Sequence, residues 1–188
     1  MSEDVRLWLI RHAPVVGPMG VIHGVEAPAD TGDETALAAL RAKLPHGAAC
    51  FASPSIRTLE TAAALGLQPG TEVKFSEQDF GQWTGRRHDD LAREFGAAYS
   101  EFWNAPAGSK PPGGESFTEQ IRRVRAGLVN LPAGDVILVV HSGTIRAALA
   151  IALDLAPDAA LRFAIDPLSL TRIDRLPNAW RVVGVNLR

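Results

Sequence analysis

Three short motifs set chemistry-bearing side chains at the ends of apolar segments. Arg11-His12 follows "VRLWLI", Ser53-Pro54-Ser55 with Arg57 follows "AACFA", and His141-Ser142-Gly143 follows "DVILVV". Two guanidinium groups offer forked donors to an anion with several oxygens, and phosphate fits that geometry. Arg57 falls in a first helical turn, where unpaired N–H groups and the helix dipole also favour an anion. Histidines add what arginine lacks: a neutral imidazole is a nucleophile, and a protonated one donates to charged oxygens. Cationic arginines beside the histidines oppose a bound metal. Singly, each motif has a plainer reading as a hydrogen-bonded strand end or a solvated helix residue. Their recurrence at equivalent places points to a site.

These groups need a frame. Val5–Ile10, Ala48–Ala52 and Asp135–Val140 read as buried strands, and Val73–Phe75 as a further one. Helices are expected over Glu34–Leu44, from the "SPS" start to Gly66, over Asp89–Trp103 with a break at Gly96, over Glu115–Leu131, and over Thr144–Leu153. Pro14–Gly32 reads as a long loop of the kind that carries function. The tail segments "LRFAIDPLSLTRIDR" and "WRVVGVNL" read as two strands joined at Pro177-Asn178. Strands separated by helices predict one α/β domain over residues 1–188. Its architecture is three-layer α/β/α, with a mainly parallel sheet and an antiparallel strand at or near an edge. Ligands of such sheets sit beyond the carboxyl ends of the strands. The three motifs therefore share one edge of the sheet, and they converge if their strands are neighbours.

Apolar residues make up 46% of the 188 and charged residues 21%, with a formal net charge of -2. That composition is globular and gives no global attraction for nucleic acid. The one cysteine, Cys50, excludes an intrachain disulfide and argues against a Cys-based zinc site. Its setting reads as a buried structural thiol. The polar start Met1–Asp4 has no signal-peptide shape, and no apolar run approaches the ~18 residues of a membrane span. A cytoplasmic location without a membrane partner is expected.

The segments "LIRHAPV", "SPSIRTLETA", "SEQDFGQWTG", "PPGGESFTEQIRRV" and "VVHSGTIRAAL" resemble, in order and spacing, the motifs of the histidine phosphatase superfamily. This group includes the cofactor-dependent phosphoglycerate mutases and many small phosphatases. The match spans Leu7 to Leu149, and its short length and "PPGGES" segment look most like the α-ribazole phosphatase branch. The resemblance implies a phosphoglycerate mutase-like fold and a metal- and cofactor-independent phosphomonoesterase acting on a small-molecule phosphate ester. It implies that His12 is the nucleophile and that Arg11, Arg57 and His141 surround the phosphate oxygens. The Ser142 N–H adds a contact, and Glu77 is the proton donor, with Asp79 as its rival.

Three positions depart from the family pattern. Ala13 stands where glycine is usual, which is acceptable if φ there is negative. Pro18 stands where an asparagine is common, so a contact is missing or comes from elsewhere, and His23 is one candidate. Thr84 stands where "EG" commonly follows the aromatic residue. Trp83 and Arg86 are further possible substrate contacts, each with a competing reading as packing or as a solvated helix start. Competing functions are a phosphoglycerate mutase, a phosphohistidine protein phosphatase, and a non-catalytic phosphate-binding module. The last has no need of a proton donor.

Overall fold

The computed structural model of the chain describes residues 4–188, so most of the polar start lies outside the described residues. Six strands form one sheet: β1 (Val5–Arg11), β2 (Ala49–Ala52), β3 (Gly70–Thr71), β4 (Gly134–Val140), β5 (Leu170–Leu176) and β6 (Ala179–Leu187). Their order is β3-β2-β4-β1-β5-β6. The pairs β3–β2, β2–β4 and β4–β1 are parallel, and β5 runs antiparallel to both β1 and β6.

The central strands are apolar at nearly every position because both faces are covered. On one face Val5, Leu7 and Leu9 of β1 join Val136, Leu138 and Val140 of β4. They pack there with residues of α5 (Phe117–Val129), α6 (Ser142–Leu153) and the short α7 (Pro157–Ala160). On the other face Ile10, Ile137 and Val139 pack with α1 (Glu34–Arg41) and α2 (Ile56–Ala64). Side chains alternate across a strand, so one apolar run serves two cores. A third cluster, Ile22, Trp83, Leu91 and Phe102, is built from α3 (His88–Phe95), α4 (Ala97–Asn104) and the loops beside them. Gly96, at φ 49°, separates the two helices, as expected.

The helix starts divide into two kinds. Ser116 caps α5 in a reciprocal box with Glu119, which satisfies two donors of the first turn. α2 and α6 begin at the strand ends with Ser55 and His141 as N-cap residues, and neither side chain makes a capping bond. Of their first-turn groups, the Ile56 N–H goes to the Val25 carbonyl, the Thr58 N–H to the Ser55 carbonyl and the Gly143 N–H to the Glu77 carboxylate, which leaves groups such as the Arg57 and Ser142 N–H for other acceptors.

Some sequence expectations need correction. Val73–Phe75 is a 3-10 turn, because the Glu72 side chain accepts from the Lys74 N–H and turns the chain; β3 is the shorter Gly70–Thr71 before it. The tail strand begins only at Leu170. Ahead of it Leu168 takes φ 56° and the Asp166 N–H donates to the Asn186 side chain, neither of which is strand pairing. Trp8, inside the strand expected to be buried, is only partly so: its Nε1–H donates to Asp135, and the Arg172 guanidinium sits 4.0 Å from its ring centre. Cys50 is partly buried and its thiol is pushed up to about 11 by burial, which suits a structural role. Among the described residues no helix is long and apolar enough to cross a membrane.

Candidate active site

β4 lies between β1 and β2, so the three motif-bearing strand ends are adjacent. Backbone bonds continue past the strands: the His12 N–H donates to the Val140 carbonyl at 3.0 Å, and the Ser53 N–H to the Val139 carbonyl at 3.2 Å. The His12 and His141 rings come within 5.1 Å, centre to centre, at an interplanar angle of 66°. Both side chains are buried, although they are polar.

His12 Nδ1 lies 2.7 Å from the Ala13 carbonyl oxygen. A carbonyl only accepts, so the proton sits on Nδ1 and Nε2 keeps its lone pair. Ala13 is not among the positive-φ residues, which is why a Cβ is tolerated where the resemblance leads one to expect glycine. Thr61 braces this turn, accepting from the Ala13 N–H at 2.9 Å while donating to the Arg57 carbonyl. His141 Nε2 meets Ser53 Oγ at 2.8 Å, while its Nδ1 is buried with no partner.

The arginines are anchored by backbone. Arg57 donates to the Gly24 carbonyl and Arg11 to the Ile165 carbonyl, while Arg11 Nε has no partner. Glu77 reaches the same place from the acid loop: its carboxylate accepts from the Gly143 N–H at 3.3 Å, in the open first turn of α6. Asp79 instead accepts from the Gly81 N–H at 2.8 Å; both acids line a cavity of about 240 Å³ together with Glu115 and Arg123. A separate cavity of about 250 Å³, lined by Pro14, Leu40, Lys43, Leu168 and Arg188 among others, is lined by none of Arg11, His12, Arg57, Glu77 and His141.

Burial first, then the repulsion that a second proton on His141 would bring and the charges of Arg57 and Arg11, hold His12 down to about 3, against the opposing pull of the Ala13 carbonyl. The same causes, burial and then Arg57 and Arg11, push His141 well below the usual histidine range. In the free protein both rings are therefore neutral, so a protonated His141 needs an arriving anion. The consequence for stability has a definite sign. Between pH ~6.5 and ~3 the unfolded chain binds a proton that folded His12 refuses, so stability is held above pH ~6.5 and lost as pH falls. From pH ~6.5 to ~5 this one group removes about 2 kcal/mol. Denaturant unfolding of wild type and His12→Asn at both pH values should show a shallower acid loss in the variant. Equal losses would contradict the buried neutral state.

The family model described as Histidine phosphatase superfamily (branch 1) matches residues 7–188. The chain belongs to this superfamily. Among solved structures similar to this chain is an Escherichia coli K-12 protein provisionally assigned as an alpha-ribazole-5'-P phosphatase. It has TM-score 0.86 and 25% identity, covering 98% of this chain and 97% of that one. The mycobacterial glucosyl-3-phosphoglycerate phosphatase Rv2419c shares the fold at TM-score 0.82 and 22% identity, over 98% of this chain and 100% of that one. In sequence, the Yersinia enterocolitica protein named Probable phosphoglycerate mutase GpmB is 32% identical over 136 residues, 68% of this chain and 63% of that protein. The Bifunctional protein Rv2228c of Mycobacterium tuberculosis is 33% identical over 132 residues, 66% of this chain. The match spans 36% of that longer protein.

The weaker candidate residues separate clearly. His23 packs against Gly17, where an added Cβ would lie 2.9 Å from the ring, and feels the Arg57 charge. It therefore stands beside the cluster, whereas Pro18 is exposed. Trp83 is 2% exposed and packs on Phe95, Tyr99 and Phe102, so it is loop packing and presents no face to a substrate. Arg86 pairs with Glu94 and lies over Phe95, which engages it within its own segment. Ser142 opens α6, with its N–H in the first turn. The Glu77 carboxylate is met by N–H donors, from the Gln78 and Gly143 backbone and the Gln120 side chain. Sequence reasoning missed Arg146, which is anchored to the Phe163 carbonyl and senses the Glu77 charge. Its place one helical turn beyond Ser142 in "HSGTIR" was the available signal.

Gly143 has a strict requirement. A Cβ there would lie 2.1 Å from Glu77 Oε1. Gly143→Ala should displace the carboxylate and lower turnover about 100-fold, as for a lost general acid. Stability should hold or rise by up to ~1 kcal/mol, since alanine is the better helix former. Parallel kinetics and unfolding check this split, and normal turnover would show that Glu77 need not sit there.

Proposed function

We propose that the protein hydrolyses small phosphomonoesters through a phosphohistidine on His12. The observation that carries this reading is the His12 imidazole itself: neutral, with Nδ1 held by the Ala13 carbonyl and Nε2 free, beside Arg11, Arg57 and His141. Nε2 attacks phosphorus, the bond to the leaving oxygen breaks, and the Glu77 carboxyl gives that oxygen its proton. Water then attacks the phosphohistidine and passes a proton to Glu77, the P–N bond breaks, and inorganic phosphate leaves. Arg11, Arg57 and the first turns of α2 and α6 stabilise the transferring oxygens, which is the main task in phosphoryl transfer. The arriving dianion draws a proton onto His141 and makes it a further donor. Positive charge from the arginines makes a metal unnecessary.

The partner is read as a small-molecule ester, not nucleic acid or a membrane. An α-ribazole phosphate or related sugar or nucleoside phosphate is favoured by the likeness to the Escherichia coli protein. A mutase is the second reading, favoured by the likeness to the Yersinia protein. A cytoplasmic location is part of the same reading. The test is turnover of p-nitrophenyl phosphate with EDTA present, followed by a panel of α-ribazole phosphate, sugar phosphates, nucleotides and phosphoglycerates. Phosphate release from the panel supports the phosphatase, and isomerised phosphoglycerate without release supports the mutase. Loss of activity with EDTA, restored by a metal, would overturn the metal-free mechanism.

A further inference from the structure

Helix α5 turns a buried face of Phe117, Val124, Gly127 and Leu128 toward the core. Gln120 interrupts this face and is 0% exposed. Its Oε1 is buried with no partner, an arrangement that an apolar side chain would avoid. Burying an amide with half of its capacity unused calls for a reason in the other half.

That other half meets Glu77. Gln120 Nε2 donates to Glu77 Oε1 at 3.2 Å and lies 3.4 Å from the Ser76 carbonyl oxygen. The Gln78 N–H also donates to Glu77 Oε1, at 3.1 Å. Glu77 Oε2 receives one long bond, from the Gly143 N–H at 3.3 Å. A carboxylate oxygen offers about two acceptor sites. Oε1 is therefore filled and Oε2 keeps one site open. A proton added to this carboxylate goes to the oxygen with the open site.

We propose that Gln120 is a positioning residue for Glu77: by filling the second acceptor site of Oε1, it makes Oε2 the oxygen that carries and delivers the proton. This rests on Glu77 acting as the proton donor of the proposed reaction. Without the amide each oxygen has a single donor, so the proton is no longer confined to Oε2 and the carboxyl is no longer held in one orientation toward the leaving group.

The test is Gln120→Leu, with Gln120→Met as a second variant should leucine disturb folding, each checked by its unfolding midpoint. kcat/KM reports the steps through phosphorylation, in which the leaving group departs. For an alkyl phosphate, whose leaving oxygen needs the proton, kcat/KM should fall about 10-fold, a fraction of a general acid's full effect. For p-nitrophenyl phosphate it should stay within about 2-fold. In a Glu77→Gln background, Gln120→Leu should cause no further loss on the alkyl ester, because the two residues act as a unit. Equal losses on both esters, or a full additional loss in that background, would reduce Gln120 to packing. Independently of any Gln120 variant, its side-chain amide NMR signals should move in Glu77→Ala; unmoved signals overturn the contact. If Glu77→Gln itself spares alkyl esters, the proton-donor reading falls and this one with it. If Glu77→Gln slows them and Gln120→Leu does not, only the Gln120 role falls.

Discussion

His12→Ala should lower turnover of any phosphomonoester by at least ~10⁴-fold, the scale of losing a nucleophile. The size follows from how little else could replace it. The neighbouring ring, His141, has Nε2 against Ser53 Oγ and is fully buried. Cys50 is held protonated by burial. The flanking arginines are bound to backbone carbonyls and carry no lone pair. Whatever turnover remains would come from phosphate binding and water attack. The variant should also lose the acid-labile phosphoenzyme that wild type forms when quenched with labelled substrate. Circular dichroism should be unchanged, since the Thr61 bond that braces the turn goes to the backbone of Ala13. Turnover within 10-fold of wild type, or a phosphoenzyme that survives the substitution, would sink the nucleophile assignment.

Glu77→Gln should cost about 100- to 1,000-fold on alkyl phosphates, within the usual span for a general acid. Glutamine keeps the shape but carries no transferable proton. On p-nitrophenyl phosphate the first half-reaction should lose far less, because nitrophenolate leaves without help. The second half-reaction still needs a base for water, so the phosphoenzyme should accumulate and a burst of nitrophenolate should appear. Asp79→Asn serves as the control: its carboxylate holds the Gly81 turn on the exposed side of the loop and should matter little to leaving-group dependence. If Asp79→Asn shows the leaving-group dependence and Glu77→Gln does not, the roles are reversed.

The elements around the site were largely legible. "DVILVV" and "VRLWLI" are apolar throughout because each strand has helices on both faces, and burial on both faces writes itself into consecutive residues. The Arg-His and His-Ser-Gly motifs follow those runs directly, so their position at strand ends was readable. Three features were hidden. Trp83 is aromatic and near the acid, yet its neighbours Phe95 and Phe102 belong to later helices that no local pattern connects to it. Val73–Phe75 has strand-like composition, but the Glu72 side chain captures the next turn. Gln120 looked like an ordinary polar residue of an amphipathic helix until its amide was found on a carboxylate 43 residues earlier.

Sequence alone determined the strands, most helices and the chemical types at the strand ends, because burial and capping act over a few residues and leave periodic marks. Only the tertiary structure decided that β4 separates β1 from β2, which brings His12, Ser53 and His141 together. It also decided which carboxylate faces them, and that Arg146 and Gln120 stand nearby. Those outcomes depend on contacts between residues far apart in the chain. Such contacts are selected by the packing of whole layers, and no single segment carries their imprint.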